Sequence, residues 1–165
     1  MWWDRARKYT ICAGMAEEDN GGWVWIQDPR LPSRTLIQLS RRLRGRKWTT
    51  FCEARFIDRN FIKGYSKDGR VDLVEQPNPM VISEWYRNAL GGFPTAYQQT
   101  AQLDDRPIPD IKIRKLRLWG WRALRGACHH PDMGVRVGTR LGVLGVWLGV
   151  GAIVEPIWKI CHPLW

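Results

Sequence analysis

Acidic side chains are the first shortage in this 165-residue chain: 16 Asp and Glu stand against 26 Lys and Arg, a formal charge of +10. Lysine is scarce too, with 7 residues against 19 arginines. Guanidinium groups are weakly hydrated and match phosphate in a bidentate way, so the bias points to nucleic acid or lipid phosphate rather than to solubility alone. Cysteine is sparse and scattered at Cys12, Cys52, Cys128 and Cys161, with no C-x-x-C pair. That spacing argues against a dense disulfide scaffold and for free thiols in a reducing compartment. The opening Met1-Trp2-Trp3-Asp4-Arg5 meets charge before any apolar run, so the expectation is an intracellular, cytoplasmic protein that is not secreted.

Reaction signatures are missing as well. There is no phosphate-cradling glycine loop and no paired-carboxylate motif, and nothing orients a cysteine against one of the three histidines. The expectation is a protein without enzymatic activity. Neither an internal repeat nor a low-complexity tract is visible.

What is present suffices for a core. Apolar residues make up 44% of the chain and 11 tryptophans are spread along it, which excludes wholesale disorder. Residues 8–13 and 22–27 read as short strands, joined as a hairpin, with Trp23 and Trp25 on one face of the second and Val24 and Ile26 on the other. Ser33 stands where an N-cap would, Leu36, Leu39, Ser40 and Leu43 share a helical face, and Gly45 offers a stop; the spacing predicts a basic amphipathic helix. Residues 47–58 alternate as a strand. A further strand-like run from Phe61 to Tyr65 leads to Asp68-Gly69, a hairpin-turn signal, with Val71 and Leu73 returning. Gln76-Pro77-Asn78-Pro79 reads as the end of the sheet, and residues 83–90 as a helix capped by Ser83 and stopped by Gly91-Gly92.

The domain expectation is therefore a compact α+β module over residues 1–92, a small antiparallel sheet with short helices. A polar, proline-punctuated linker over 93–110 and a basic, then apolar, helical tail over 111–165 complete it.

Three constellations carry functional expectations. Arg34, Arg41, Arg42, Arg44, Arg46 and Lys47 form a basic cluster, continued in the tail by Lys112, Arg114, Lys115 and Arg117. With Trp48, Phe51, Phe56, Phe61 and Tyr65 following, they would hold phosphates while an aromatic stacks an unpaired base of RNA or other nucleic acid. The tail holds 14 uncharged residues over 141–154, with Gly138, Gly142, Gly145 and Gly149 on one helical face. Such a run gives about 21 Å of helix, short of the roughly 30 Å hydrocarbon core. An anionic membrane surface, with interfacial insertion and close helix packing along the glycines, is the expected setting. Finally, Cys128, His130, Cys161 and His162 could supply a tetrahedral zinc set, although neither local pair has the usual ligand gap.

These features resemble in composition the small accessory proteins that viruses encode, a likeness of style carried by no motif. The leading expectation is an accessory or adaptor protein whose basic module meets RNA or an acidic partner and whose tail associates with membrane or with itself. The alternatives are a soluble nucleic-acid-binding protein with the tail in its core, and a small zinc-dependent interaction domain.

Overall fold

The computed structural model describes residues 6–15, 19–29, 31–66, 73, 76–101, 109–116 and 119–161. Its elements are β1 (Ala6–Lys8), β2 (Thr10–Ala13), β3 (Trp23–Ile26), β4 (Arg34–Leu43), β5 (Arg46–Phe56), α1 (Arg59–Ser66), β6 (Pro79–Ile82), α2 (Glu84–Ala89), α3 (Ala96–Thr100), β7 (Asp110–Lys115), α4 (Trp119–Cys128) and α5 (Met133–Cys161).

The sheet is built around the long β4–β5 hairpin, paired in unbroken register from Arg34↔Arg55 to Leu43↔Arg46. This overturns the helix expected after Ser33. Ile37 and Leu39 are fully buried at alternate positions, and the β-branched Thr35 and Ile37 favour the pleat over a helical turn. Gly45 is a turn residue, not a helix stop. Arg44 at φ 48° and Gly45 at φ 77° are both left-handed, as a two-residue hairpin of type I′ requires.

Among the described residues, seven strands form one mixed sheet in the order β1-β7-β4-β5-β3-β6-β2. The chain is thus α+β, but the sheet is not purely antiparallel: β2 runs parallel to β6, and β3 parallel to β5. The expected hairpin between β2 and β3 does not form, because β6 lies between them. Gln76-Pro77-Asn78 leads into that strand rather than ending the sheet, since Pro79 at the start of β6 is tolerated where an interior proline is not. β7, expected as the start of a helical tail, pairs with β4 and β1. The sheet therefore draws strands from both sides of residues 93–110. Within that stretch, the described residues 93–101 are organised around Phe93, which is buried, and α3, where Thr95 and Gln98 form a reciprocal capping box.

One face of the sheet carries the main core: Ile11, Val24, Ile26, Ile37, Leu39, Met80 and Ile111 under Tyr86, Leu90 and Phe93. The opposite face is covered at its β2–β6–β3 end by α1. Asp58 caps this helix through its carboxylate, which accepts from the Phe61 N–H at 2.7 Å, and Phe61 and Tyr65 turn inward over Cys12 and Val81. Residues 61–65 are thus helix, not strand. The Asp68-Gly69 turn lies outside the described residues. α2 forms as expected and ends at Gly91 (φ 92°) and Gly92 (φ 69°), but the Ser83 hydroxyl makes no cap bond.

Farther along the opposite face, α4 packs on Leu36 and Phe51. A Cβ on Gly126 would stand 3.1 Å from Leu36, and the His129 ring meets Phe51 at 4.9 Å. α5 then leaves the sheet. Its base is held by Asp132, whose carboxylate accepts from the Val135 N–H, and by Arg136, which donates to the His130 carbonyl and lies over the Trp85 ring.

Candidate polyanion-binding face and apolar helix

Strand pleating sorts the basic residues that the sequence placed in one cluster. On β4, Arg42 shares the α4-covered face with Leu36, Gln38 and Ser40, while Arg41 points the other way with Ile37 and Leu39. Arg41 is buried, donates to the carbonyls of Leu90 and Gly92 at 3.4 and 3.0 Å, and sits over the Phe93 ring. It is a core cation tying the sheet to the end of α2, not a surface contact. Arg34 is engaged as well. Its Nε donates to Glu53 Oε1 at 2.8 Å, and the Arg55 Nε donates to the same oxygen at 2.9 Å.

Arg55 in turn lies over Trp23 at 3.7 Å, and Trp25 stacks on Phe61 at 4.2 Å. Burial pushes the Glu53 carboxyl up, but the hydrogen bonds and charges of Arg34 and Arg55 outweigh it and hold the group below its ordinary value.

Beyond α4, the remaining part of this face is open and basic. Lys47 from β5, Gln38 and Ser40 from β4, and Lys112 and Arg114 from β7 line a cleft of about 220 Å³, with no carboxylate among its described lining residues. The register explains the convergence. Ser40 pairs with Lys112 and with Thr49, Gln38 pairs with Arg114, and Arg42 pairs with Lys47. Members of such pairs project to the same side of the sheet. Two basic segments separated by more than sixty residues in sequence thus meet on one surface. Lys115 pairs with Ile37 and belongs to the other face. Arg44 stands exposed at the hairpin tip, Arg46 covers the Trp48 ring at 4.5 Å, and Arg117 lies outside the described residues.

Gln38 and Ser40 are additions that the sequence reading missed. Reading β4 with a period of two would have placed them beside Arg42.

The expected aromatic platform is absent from this surface. Phe61 and Tyr65 are buried under the sheet, Trp48 packs against Gly91, and Phe51 is covered by His129 and by the Arg125 guanidinium.

The zinc set is not assembled among the described residues, where no group of three or more His, Cys, Asp or Glu side chains converges. His130 Nδ1 accepts from the Asp132 N–H at 3.1 Å, and its Nε2 edge presses on Gly22 so closely that a Cβ there would stand 2.6 Å away. Nδ1 is therefore occupied by a backbone donor, and the Nε2 edge packs against Gly22. His162 and the side chain of Cys161 lie outside the described residues.

α5 is the second candidate element. It continues through Glu155 and Pro156, past the end of the uncharged run, and its stretch Met133–Val154 is 22 residues long, with none of its most apolar window buried. At 1.5 Å per residue that is about 33 Å, close to the hydrocarbon thickness and longer than the uncharged run alone. Val146, Trp147 and Leu148 are each about two-thirds or more exposed, at 68, 73 and 67%. A Cβ built at Gly138, Gly142, Gly145 or Gly149 meets nothing within 4 Å, so the glycine seam faces open space.

Comparison with protein-family models, with curated proteins and with solved structures finds no match, so the functional argument rests on these residues.

Proposed function

We propose that this protein is a non-enzymatic accessory or adaptor that α5 anchors in a membrane, while the α+β body stays on the aqueous side and offers its basic sheet face to a phosphate-bearing partner, with RNA as the first candidate. The observation that carries the anchor is the exposure of Met133–Val154, a helix of spanning length whose apolar side chains find no cover among the described residues. Leaving so many large apolar side chains in water forgoes about 1.5–3 kcal/mol for each one that burial would stabilise. Lipid supplies that burial without demanding a pocket, and the exposed Arg140 sits where a long side chain reaches headgroups.

The non-enzymatic half draws on the thiols and imidazoles. Cys52 is fully buried with its thiol pushed well up, burial pushes Cys12 up to about 11, and His129 and His130 are packed against Phe51 and Gly22.

The test is alkaline carbonate extraction of membranes from cells making the full chain. Retention in the pellet is expected, and release of a Leu144→Arg/Leu148→Arg variant into the supernatant, because each arginine at mid-bilayer costs about 2.5–3.5 kcal/mol. Wild-type protein that washes off completely sinks the anchor.

The second reading, a soluble nucleic-acid-binding protein, is favoured by the cation-lined cleft. It predicts supernatant protein whose α5 is buried against another copy or a partner.

A further inference from the structure

We infer that the cleft between β5, β4 and β7 grips the sugar–phosphate backbone of a polynucleotide and does not read its bases. This deepens the polyanion half of the proposed function and does not depend on membrane anchoring.

Four observations converge. Arg42 and Lys47 from the hairpin share the face with Lys112 and Arg114 from β7, although the two segments are remote in sequence. Between them stand neutral hydrogen-bonding groups, Gln38 and Ser40 at the cleft and Thr49 beside Ser40. The spacing suits an extended polyanion: Lys112 and Arg114 are two residues apart on one strand, roughly 6.6 Å, and Lys47 lies two strands over, roughly 9.5 Å. A backbone that carries one charge per ~1.7 Å of duplex axis offers several phosphates across that width.

The last observation separates backbone from base recognition. Every aromatic ring described on this face already has a partner: Phe51 under His129 and Arg125, Trp23 under Arg55, and Trp25 on Phe61. Among the described residues, stacking, the usual source of single-strand base contacts, has no unpartnered ring to use. Phosphate contacts position a ligand without selecting sequence. On the β1 side, Asp110 is exposed on the same face and pairs with Lys8, which limits the basic track in that direction and leaves Arg42 and the hairpin tip as its continuation.

The experiment uses the full chain in detergent micelles, with fluorescence anisotropy of labelled homopolymers of RNA and DNA and of one duplex, across a salt series. The wild type is expected to bind all single strands within about threefold of one another, with affinity falling steeply as salt rises. Lys47→Gln and Arg114→Gln should each flatten the log–log salt slope by about 0.9 on duplex, or about 0.7 on single strands, and lower affinity uniformly across sequences. The double reversal K47E/R114E should weaken binding by more than about tenfold. Unchanged thermal melting of these exposed strand variants separates lost contact from lost fold.

In parallel, the same proteins are mixed with phosphatidylcholine vesicles with and without phosphatidylserine. Nucleic-acid affinity unaltered in K47E/R114E overturns the inference, as does a strong preference among homopolymers. A variant defect confined to the anionic vesicles also overturns it and assigns the cleft to lipid headgroups. Because micelle binding does not require insertion of α5, failure of the carbonate test leaves this result readable, and the reverse holds too.

Discussion

Arg41 shows how a single side chain changes meaning with its environment. Its guanidinium is buried and satisfies the carbonyls of Leu90 and Gly92, which otherwise end α2 without partners in a dry region. Charge-assisted hydrogen bonds of this kind are worth about 1.5–3 kcal/mol, more when their loss strands an acceptor. Arg41→Met should lower unfolding free energy in denaturant titration by about 2 kcal/mol while leaving polynucleotide affinity intact, the opposite of Lys47→Gln. Tyr86 is the converse case. Its buried hydroxyl has no hydrogen-bond partner among the described residues. Tyr86→Phe removes an unsatisfied polar atom and keeps the ring, so a gain of about 1 kcal/mol is expected in the same titration.

Glu53 sets a pH limit. Arg34 and Arg55 favour its ionised form in the folded state, so its contribution is complete above the ordinary value of 4.5 and is lost as pH falls through the depressed folded value. Melting temperature should drop along that acid limb, and Glu53→Gln should flatten it.

Among elements, the β4–β5 hairpin and the docking of α4 are the most exposed to test. Gly45 sits at φ 77° with open space around it, so adding a methyl group meets no neighbour but strains the backbone. Gly45→Ala should cost about 1 kcal/mol, and by loosening the tip it should weaken Arg42 and Lys47 as a pair. α4 reports through His129. Burial first, and then the charge of Arg140, hold that imidazole below its ordinary value, so the fold prefers it neutral. Its contribution is present above the ordinary 6.5 and declines as pH falls below it, because the unfolded chain takes the proton more readily. Protection of the α4 amides, corrected for the intrinsic pH dependence of exchange, should fall between neutral and mildly acid pH. The change should vanish in His129→Gln.

For the whole molecule, charge asymmetry and the glycine seam make the proposed orientation and assembly testable. Of 26 Lys and Arg, all but Lys159 precede Leu141. If α5 spans a membrane as proposed, the bias of positive charge toward the cytoplasmic side predicts a cytoplasmic body and a C-terminus on the far side. In microsomes, an epitope appended after Trp165 should resist protease while one before Met1 is digested; the reverse pattern refutes this orientation. Among the described residues, Gly142 and Gly145 border no other part of the chain. Substitution there cannot disturb the body, and in the helix itself it removes a propensity cost of about 1 kcal/mol per glycine. Loss of self-association in Gly142→Leu/Gly145→Leu, measured by crosslinking in membranes, therefore reports an intermolecular contact. Oligomers that persist unchanged place the contact elsewhere.

Local signals were legible wherever one period dominated. The alternation of β3 and β5, the helix ended by Gly91-Gly92 and the apolar glycine-faced segment were all readable from the residues, because pleat, left-handed turn and hydrophobicity act within a few positions. The α+β class followed from them. Residues 34–43 were misread because leucines at 36, 39 and 43 mimic a helical face, and only pairing to β5 and β7 satisfies their backbone as a strand. The same pairing decided which arginines are core and which are surface, since a strand sends neighbours to opposite faces. It also carried β7 across the stretch read as a linker and set Lys112 and Arg114 beside Lys47. Composition alone determined that this chain carries a strongly basic surface and one long apolar segment. Long-range hydrogen bonding, which no local pattern encodes, decided where the charges gather and left that segment uncovered.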